Sequence, residues 1–422
     1  MDKPTILMLP TWYPTKENPI NGTFFREQAL AMQSNFNFVV ATYHEKSELA
    51  FLFFIKKILC LENPKVVFVQ NDLGLKEYAI YANKPQFIIW DLFLERFKRV
   101  VFHHKTRIGV GKEELSCIKK NRYHIANVIK NRNLLPAFDC VYSLTAQDFA
   151  PIGKTFAKTF NVPHVTAEHA PFPWPGNVLT DTTVEAIETA DAFLAISNDK
   201  IRQVLLQNVK VNPIWVGNLC DETKFSLSKE RHEIPTFLIV AANSFYKNYS
   251  LFIKAMEELK RIAKKDFKIV IAGYNANKGY SQNAKELEES VRNSIINSNT
   301  KMIDAVGRED MPALYNSCDL FVMTSIQEGL PVSAIEASMS GLPVISTRCG
   351  GVEDYIDESM GCIVAITDYK GIAKACNEYL EGKIKFDSNY IRERAVSLFG
   401  NEAFTNRMKN VFESVIKNEK NA

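Results

Sequence analysis

DLFVMTSIQEGLPVSAIEASMSGLPVISTRCGG, Asp319 to Gly351, is the stretch on which the fold turns. LFVMT is an unbroken apolar run of strand length, the kind that parallel sheets bury on both faces. A tight glycine-containing loop follows, then a helical run of small and apolar residues. Pro331 suits a first helical turn, where no backbone N–H is needed, and Gly341 suits the helix end before a new strand starts at Pro343. Strand, loop and helix in this order place the amides of Leu330, Val332 and Ser333 at a helix N-terminus beside the carboxyl end of a parallel strand. That is the geometry of an anion site suited to phosphate.

Outward from this unit the same alternation recurs along the whole chain, so the fold class is α/β. In the first half, strands are expected near Thr5–Leu9, Phe36–Thr42, Val66–Gln70, Phe87–Trp90, Cys140–Leu144, His164–Glu168, Phe193–Ile196 and Ile214–Val216. In the second half they are expected near Phe237–Ala241, Lys268–Ala272, Met302–Val306, Leu320–Thr324, Pro343–Ser346 and Cys362–Val364. Two such sets predict two doubly wound, Rossmann-like domains. The first spans residues 1–218, a polar linker of mixed charge spans 219–235, and the second domain spans 236–395. Residues 396–422 read as a C-terminal helix that docks back through Val396, Phe399, Phe404, Met408, Val411, Phe412 and Val415.

Composition sets the outer limits. With 422 residues, 46% hydrophobic and 23% charged, the chain is an ordinary globular sequence, too long for one core. Lys+Arg 51 against Asp+Glu 48 leaves a net charge of +3, which gives no general reason to bind nucleic acid. The eight cysteines contain no CxxC pair, which fits a reducing compartment better than a disulfide or zinc framework. MDKPTILMLPTWYP lacks the apolar core and cleavage site of a secretory signal, and no run is long enough to span a bilayer, so a cytoplasmic location is expected.

Two carboxylates bracket the helix start at Glu328 and Glu336, an E-x7-E spacing. A carboxylate beside a phosphate site is costly unless it accepts hydrogen bonds, and sugar hydroxyls are neutral donors that fit. Glu336 would reach a ribose and Glu328 a second sugar, which together imply a nucleotide sugar. The plainer readings are a helix cap for Glu328 and a surface ion pair for Glu336.

At these residues the sequence resembles retaining glycosyltransferases of the GT-B fold, family 4, whose donor domain carries EGxP...EAxxxGxPV followed by a glycine pair. The N-terminal TWYPTKENPINGTFFREQA is similar to the family's first loop and helix, so the resemblance covers nearly the whole chain. It implies two Rossmann-like domains facing a cleft, with Gly329, Leu330, Pro331 and Val332 at the donor. It gives Gly22 a close approach to the donor phosphates and makes Thr23 the cap of the first helix, against the alternative of a simple Asn-Gly turn. In VTAEHAPF it places His169 where a histidine meets the donor sugar or the acceptor; the other reading is a structural histidine. FLIVAANSFYKNYS resembles the segment that delivers a lysine, here Lys247, to the diphosphate, although a solvated surface lysine fits as well. Ala242 stands where the family often has arginine or serine, which weakens that grip or moves it to Ser244. Gly307 and Arg308 would lie by the nucleobase.

Absences narrow the chemistry. There is no D-x-D for a metal-bridged diphosphate, and no defensible histidine spacing for a metal, so neither metal nor cofactor is expected. GVGKEE is too short for a P-loop and GxGxxG is missing. On the acceptor side, basic residues crowd Arg96 to Arg132, near the apolar runs Phe51–Ile55 and Trp90–Leu94. Peripheral contact with anionic membrane and a buried element beside a solvated basic helix both account for this pattern. The resulting expectation is a metal-independent hexosyltransferase, at work in the cytoplasm or at the inner face of the membrane. It would move a sugar from a UDP- or GDP-sugar, with retention, to a glycan or lipid-linked acceptor in surface polysaccharide biosynthesis. A nucleotide-sugar epimerase of the same architecture and a non-catalytic glycan-binding or scaffold subunit are the alternatives.

Overall fold

The computed structural model describes residues 3–15, 21–49, 64–86, 110–112, 116–173, 179–227, 232–276 and 281–420. The expected strand at Phe87–Trp90 and the runs Phe51–Ile55 and Trp90–Leu94 lie outside them. Two units are present. The first comprises Met1–Ala195, Ile201–Val216 and Thr405–Ala422, and the second Ile196–Lys200 and Gly217–Phe404.

In the first unit the short apolar runs form β1 (Thr5–Leu9), β2 (Asn37–Leu49), β3 (Lys65–Asp72), β4 (Leu75–Gln86), β6 (Cys140–Leu144), β7 (His164–Glu168), β9 (Ala192–Ala195) and β10 (Pro213–Trp215). They make one sheet in the order β10-β9-β7-β6-β1-β2-β4-β3. A separate parallel pair joins β5 (Val110–Lys112) to β8 (Leu179–Thr180). The large sheet is not wholly parallel, because β3 runs antiparallel to β4. The turn between them needs positive φ at both Leu73 (51°) and Gly74 (80°), and a leucine there hides the hairpin from sequence patterning. β2 also continues beyond Thr42, paired with β4 from Val39 to Leu49. Leu7, Val39, Ala41, Ile80 and Val141 from the sheet pack with Ile125, Ile129 and Phe156 from the helices Ser116–Asn131 and Ala146–Phe160.

The C-terminal pattern is two helices, Ser388–Phe399 and Asn401–Lys420, broken at Gly400, whose extended backbone (φ −66°, ψ 166°) ends the first. Most of the second returns to the first unit. Phe412 packs edge-on against Phe36 and Tyr142, both at 5.3 Å. The Arg407 guanidinium lies 4.6 Å over the Trp215 ring, and its Nε donates to the Val216 carbonyl.

The second unit is a single parallel sheet of β11 (Thr236–Val240), β12 (Lys268–Ala272), β13 (Thr300–Ile303), β14 (Leu320–Met323), β15 (Val344–Thr347) and β16 (Gly361–Val364). Its order is β13-β12-β11-β14-β15-β16. Counted within the unit, this is the doubly wound order, with the topological switch point between β11 and β14. Phe237, Ile239, Ile271, Leu320 and Val322 fill the middle of the core with Phe252 and Cys376 from the helices on either side in sequence. Where it lies within the described residues, the stretch expected as a linker is instead packed into this unit. The Cys220 N–H donates to the Phe399 carbonyl at 2.9 Å, and the buried Phe225 ring meets Tyr315 edge-on at 5.9 Å.

Candidate functional site

A ligand crevice at a switch point is formed by the loops leaving the two diverging strands. Here these are the loops after β11 and β14, and hydrogen bonds lace them together. The Ile326 N–H donates to the Tyr246 carbonyl (2.7 Å), and the Thr324 hydroxyl donates to the Lys247 carbonyl (3.0 Å). The loop after β15 closes the other side, with the Glu328 N–H bonded to the Cys349 carbonyl (2.6 Å) and Thr347 Oγ1 to the Ser325 carbonyl (2.6 Å).

On this frame Lys247 Nζ stands 2.7 Å from Glu328 Oε1, and Ser325 Oγ donates to the same oxygen at 2.6 Å. The lysine is 28% and the carboxylate 13% exposed, so the pair is partly shielded yet open to an incoming ligand. Lys247 is therefore not a solvated surface lysine. Gly329 and Leu330 lead to Pro331, which takes the cap position (φ −70°, ψ 115°) rather than the first helical turn. The helix Val332–Met339 that follows has no side-chain cap at its N-terminus. Opposite it, Gly351 has φ +72°, and a Cβ there would lie 2.2 Å from the Gly329 carbonyl oxygen. The glycine pair lets two loop backbones touch.

Glu336 is 2% exposed, and both of its oxygens are engaged. Arg308 bonds Oε1, while the Tyr315 hydroxyl donates to Oε2 at 2.9 Å. This is not a surface pair with a lysine; Arg308, expected from the resemblance beside the nucleobase, is paired with Glu336. A carboxylate buried this deeply requires a cation and a neutral donor, and Arg308 reaches it from the loop after β13. Burial, followed by the Glu336 charge, holds the Tyr315 phenol well above its ordinary range, so it remains a donor. Ser244 begins the turn Phe245–Lys247, its carbonyl accepting the Lys247 N–H at 3.0 Å. Ser325 and Tyr315 escaped sequence reading: Ser325 lies within the strand–loop–helix stretch but carries no chemical signal of its own there, and Tyr315 sits in no patterned motif.

The first unit carries the other expected residues. Gly22, φ +68°, is itself the cap residue of the helix Thr23–Ala31, so Thr23 does not cap it. A Cβ at position 22 would lie 2.4 Å from the Trp12 carbonyl carbon and oxygen, so the backbone of Trp12 already demands glycine. His169 follows β7 and meets the buried Phe25 ring edge-on at 4.9 Å, with Phe24 at 6.1 Å. A buried carboxylate that the sequence did not reveal stands on β4. Glu77 accepts from Tyr13 Oη (2.8 Å), Arg26 Nε (3.2 Å) and Gln70 Nε2 (2.6 Å). It borders a cavity of about 230 Å³ that also exposes Thr42, His44, Tyr78 and Tyr81. A second cavity of about 310 Å³ is lined by His44, Lys46, Lys65, Asn121 and His124. Of the basic stretch, residues 96–107 lie outside the described residues, whereas Lys119, Lys120, Arg122 and Lys130 stand on the helix Ser116–Asn131. Among the described residues there is no cluster of side chains able to hold a metal ion, and no helix long and apolar enough to cross a membrane.

Residues 221–395 match the family described as Glycosyl transferases group 1. An N-acetylgalactosaminyltransferase of Campylobacter jejuni, named for adding α-1,4-linked GalNAc to a diphospho-undecaprenol-linked glycan, is 29% identical over 203 residues, 47% of this chain and 51% of its own. The chain spans about a quarter to a half of the length of the curated relatives it matches. Sucrose-phosphate synthase from Thermosynechococcus elongatus superposes with a TM-score of 0.69 at 14% identity, over 99% of this chain and 100% of its own. HepE of Anabaena, in complex with UDP and glucose, superposes with a TM-score of 0.66 at 14% identity, over 97% of this chain and 100% of its own. Likeness over essentially the full length establishes the GT-B fold for the chain.

Proposed function

We propose that this protein is a metal-independent, retaining glycosyltransferase. It moves a hexose-type sugar from a nucleoside diphosphate donor to a glycan or lipid-linked acceptor in surface polysaccharide assembly. The observation that carries the reading is the Lys247–Glu328 pair at the switch point of the unit that matches Glycosyl transferases group 1. Without ligand, each of the two groups satisfies the other. The donor exchanges that bond for two better-matched ones, with the Lys247 ammonium moving to the diphosphate and Glu328 accepting from hydroxyls of the sugar. The uncapped amides of Leu330, Val332 and Ser333 add the positive end of a helix dipole, and charge on the leaving diphosphate is stabilised where it develops. Glu336, already oriented by Arg308 and Tyr315, accepts from the ribose.

Acceptor handling falls to the first unit, through His169 and the cavities beside Glu77 and His44. Lys46 and Lys65 against the single carboxylate of Glu45 leave the larger of these two cavities net positive, which suits the phosphates of a lipid-linked acceptor, the kind named for the Campylobacter relative. Peripheral contact with anionic lipid on the cytoplasmic side, through the helix Ser116–Asn131, follows from the same chemistry. Attack on the face that the diphosphate leaves, with a phosphate oxygen taking the acceptor proton, retains anomeric configuration.

Thermal unfolding with UDP, GDP and ADP, with and without EDTA, tests the donor site. One nucleotide at 100 times its dissociation constant is expected to stabilise by about 2.7 kcal/mol, unchanged by EDTA. The shift should vanish in Glu336→Ala and shrink in Lys247→Ala, whose partly exposed side chain is safe to truncate. Absence of a shift with all three nucleotides overturns the reading.

A further inference from the structure

The turn Phe245–Lys247 has two sides. Lys247 serves the pair with Glu328, but Phe245 is 76% exposed and borders an open groove of about 620 Å³. The groove runs between the helices Tyr249–Ile262 and Ser281–Arg292, from Tyr249 to Glu257 on one and from Asn283 to Ser290 on the other. Asn243, Ser250, Lys254, Glu257 and Asn283 supply most of its polar lining. Its walls are held together, since Asn243 Nδ2 donates to the Asn283 carbonyl at 2.6 Å and Ser294 Oγ donates to Glu257 at 2.6 Å. Ser244, the alternative candidate for the diphosphate, also lines it; no step of the proposed transfer is assigned to its other lining residues.

Its chemistry selects one class of ligand. Lys254 stands against Glu257 and Glu286, so the lining is net negative and does not attract phosphate. Its apolar atoms, from Tyr249, Ile253, Leu287 and the exposed Phe245 ring, are interspersed with these polar groups, which suits an amphipathic ligand rather than a purely apolar one. Amides, hydroxyls and carboxylates beside one solvent-exposed aromatic ring match a polyhydroxylated ring, which donates and accepts at its edge and offers C–H bonds at its face. The volume lies in the usual range for small-molecule sites, about 300–1,000 Å³. We propose that this groove binds a neutral oligosaccharide, a part of the glycan remote from the reacting end. The source of that glycan rests on the glycosyltransferase reading; the binding does not.

The test uses the full chain with maltotetraose, chitotetraose and inorganic phosphate as probes, read by saturation-transfer NMR and titration. At least one neutral tetrasaccharide should bind saturably, and phosphate should not compete. Ser250→Trp, which fills the groove, should weaken binding about tenfold or more. Phe245→Ala, at a position too exposed to affect folding, should weaken it as well. Both variants should keep the nucleotide-dependent thermal shift. Failure of both sugars to bind while a nucleotide does, full binding by Ser250→Trp, or displacement by phosphate overturns this inference and leaves the donor site standing. Loss of the nucleotide shift in the unmodified protein instead overturns the donor reading.

Discussion

Two buried titratable side chains show opposite ways of living without water. Glu336 remains in an ion pair because Arg308 and Tyr315 reach it. His164 has Ser143 Oγ at 2.9 Å from Nε2, while its buried Nδ1 has no hydrogen-bond partner among the described residues. Burial, helped by the nearby Lys154 charge, pushes its pKa down to about 3, so the folded protein keeps the ring neutral. In the unfolded chain the ring titrates near its ordinary value of about 6.5. Between these two values the unfolded state binds a proton that the native state refuses, so stability rises with pH across this window and falls on acidification. One group contributes about 1.4 kcal/mol per pH unit there. Denaturant unfolding of His164→Gln at pH 5 and pH 7 should therefore show a smaller pH dependence than the parent protein; an identical dependence would sink the assignment.

At the scale of elements, sequence reading succeeded where several local rules agreed. The run from Leu320 to Gly351 has a buried-strand pattern, a loop glycine, a proline at the helix entry and a glycine at its end, and the structure builds strand, loop, helix and strand from it. The hairpin of β3 and β4 was missed because the two positive φ angles fall on Leu73 and Gly74, and only the glycine signals one. Lys247, Glu328, Arg308 and Glu336 were each legible as candidates, but their pairing was not: Lys247 meets Glu328 only because β11 and β14 become neighbours across a long gap in sequence, and Arg308 meets Glu336 from the loop after β13. Ser325, Tyr315 and Glu77 act only through what the fold brings to them. Gly351 makes the loop argument measurable. Gly351→Ala sets a Cβ 2.2 Å from the Gly329 oxygen, whereas Gly382, with a similar φ of +73°, has nothing within 4 Å of its Cβ position. Gly382→Ala should cost only the strain of its backbone conformation, about 1 kcal/mol. Gly351→Ala should cost clearly more and also abolish the nucleotide shift by displacing Glu328 and Leu330. Equal melting temperatures for the two variants would show that the loops do not need that contact.

Across the whole molecule, the first unit is completed by the last segment of the chain. Thr405–Ala422 belongs to it although Gly217–Phe404 belongs to the second unit. Phe412, fully buried, is the anchor: its ring lies against Phe36 just before β2 and Tyr142 on β6. Truncating a buried phenylalanine to alanine costs about 3–5 kcal/mol, through lost burial and the cavity left behind. The cost in Phe412→Ala should fall on one unit. Amide hydrogen exchange should quicken in β1, β2 and β6, whose core the ring completes, and remain at its parent rate in β11, β12 and β14. A locally confined response of this kind is what two units with separate cores permit. Equal loss of protection in both sheets would mean that the two units open as one cooperative body, and the helix Asn401–Lys420 would then be a brace for the whole chain rather than the closing element of the first unit.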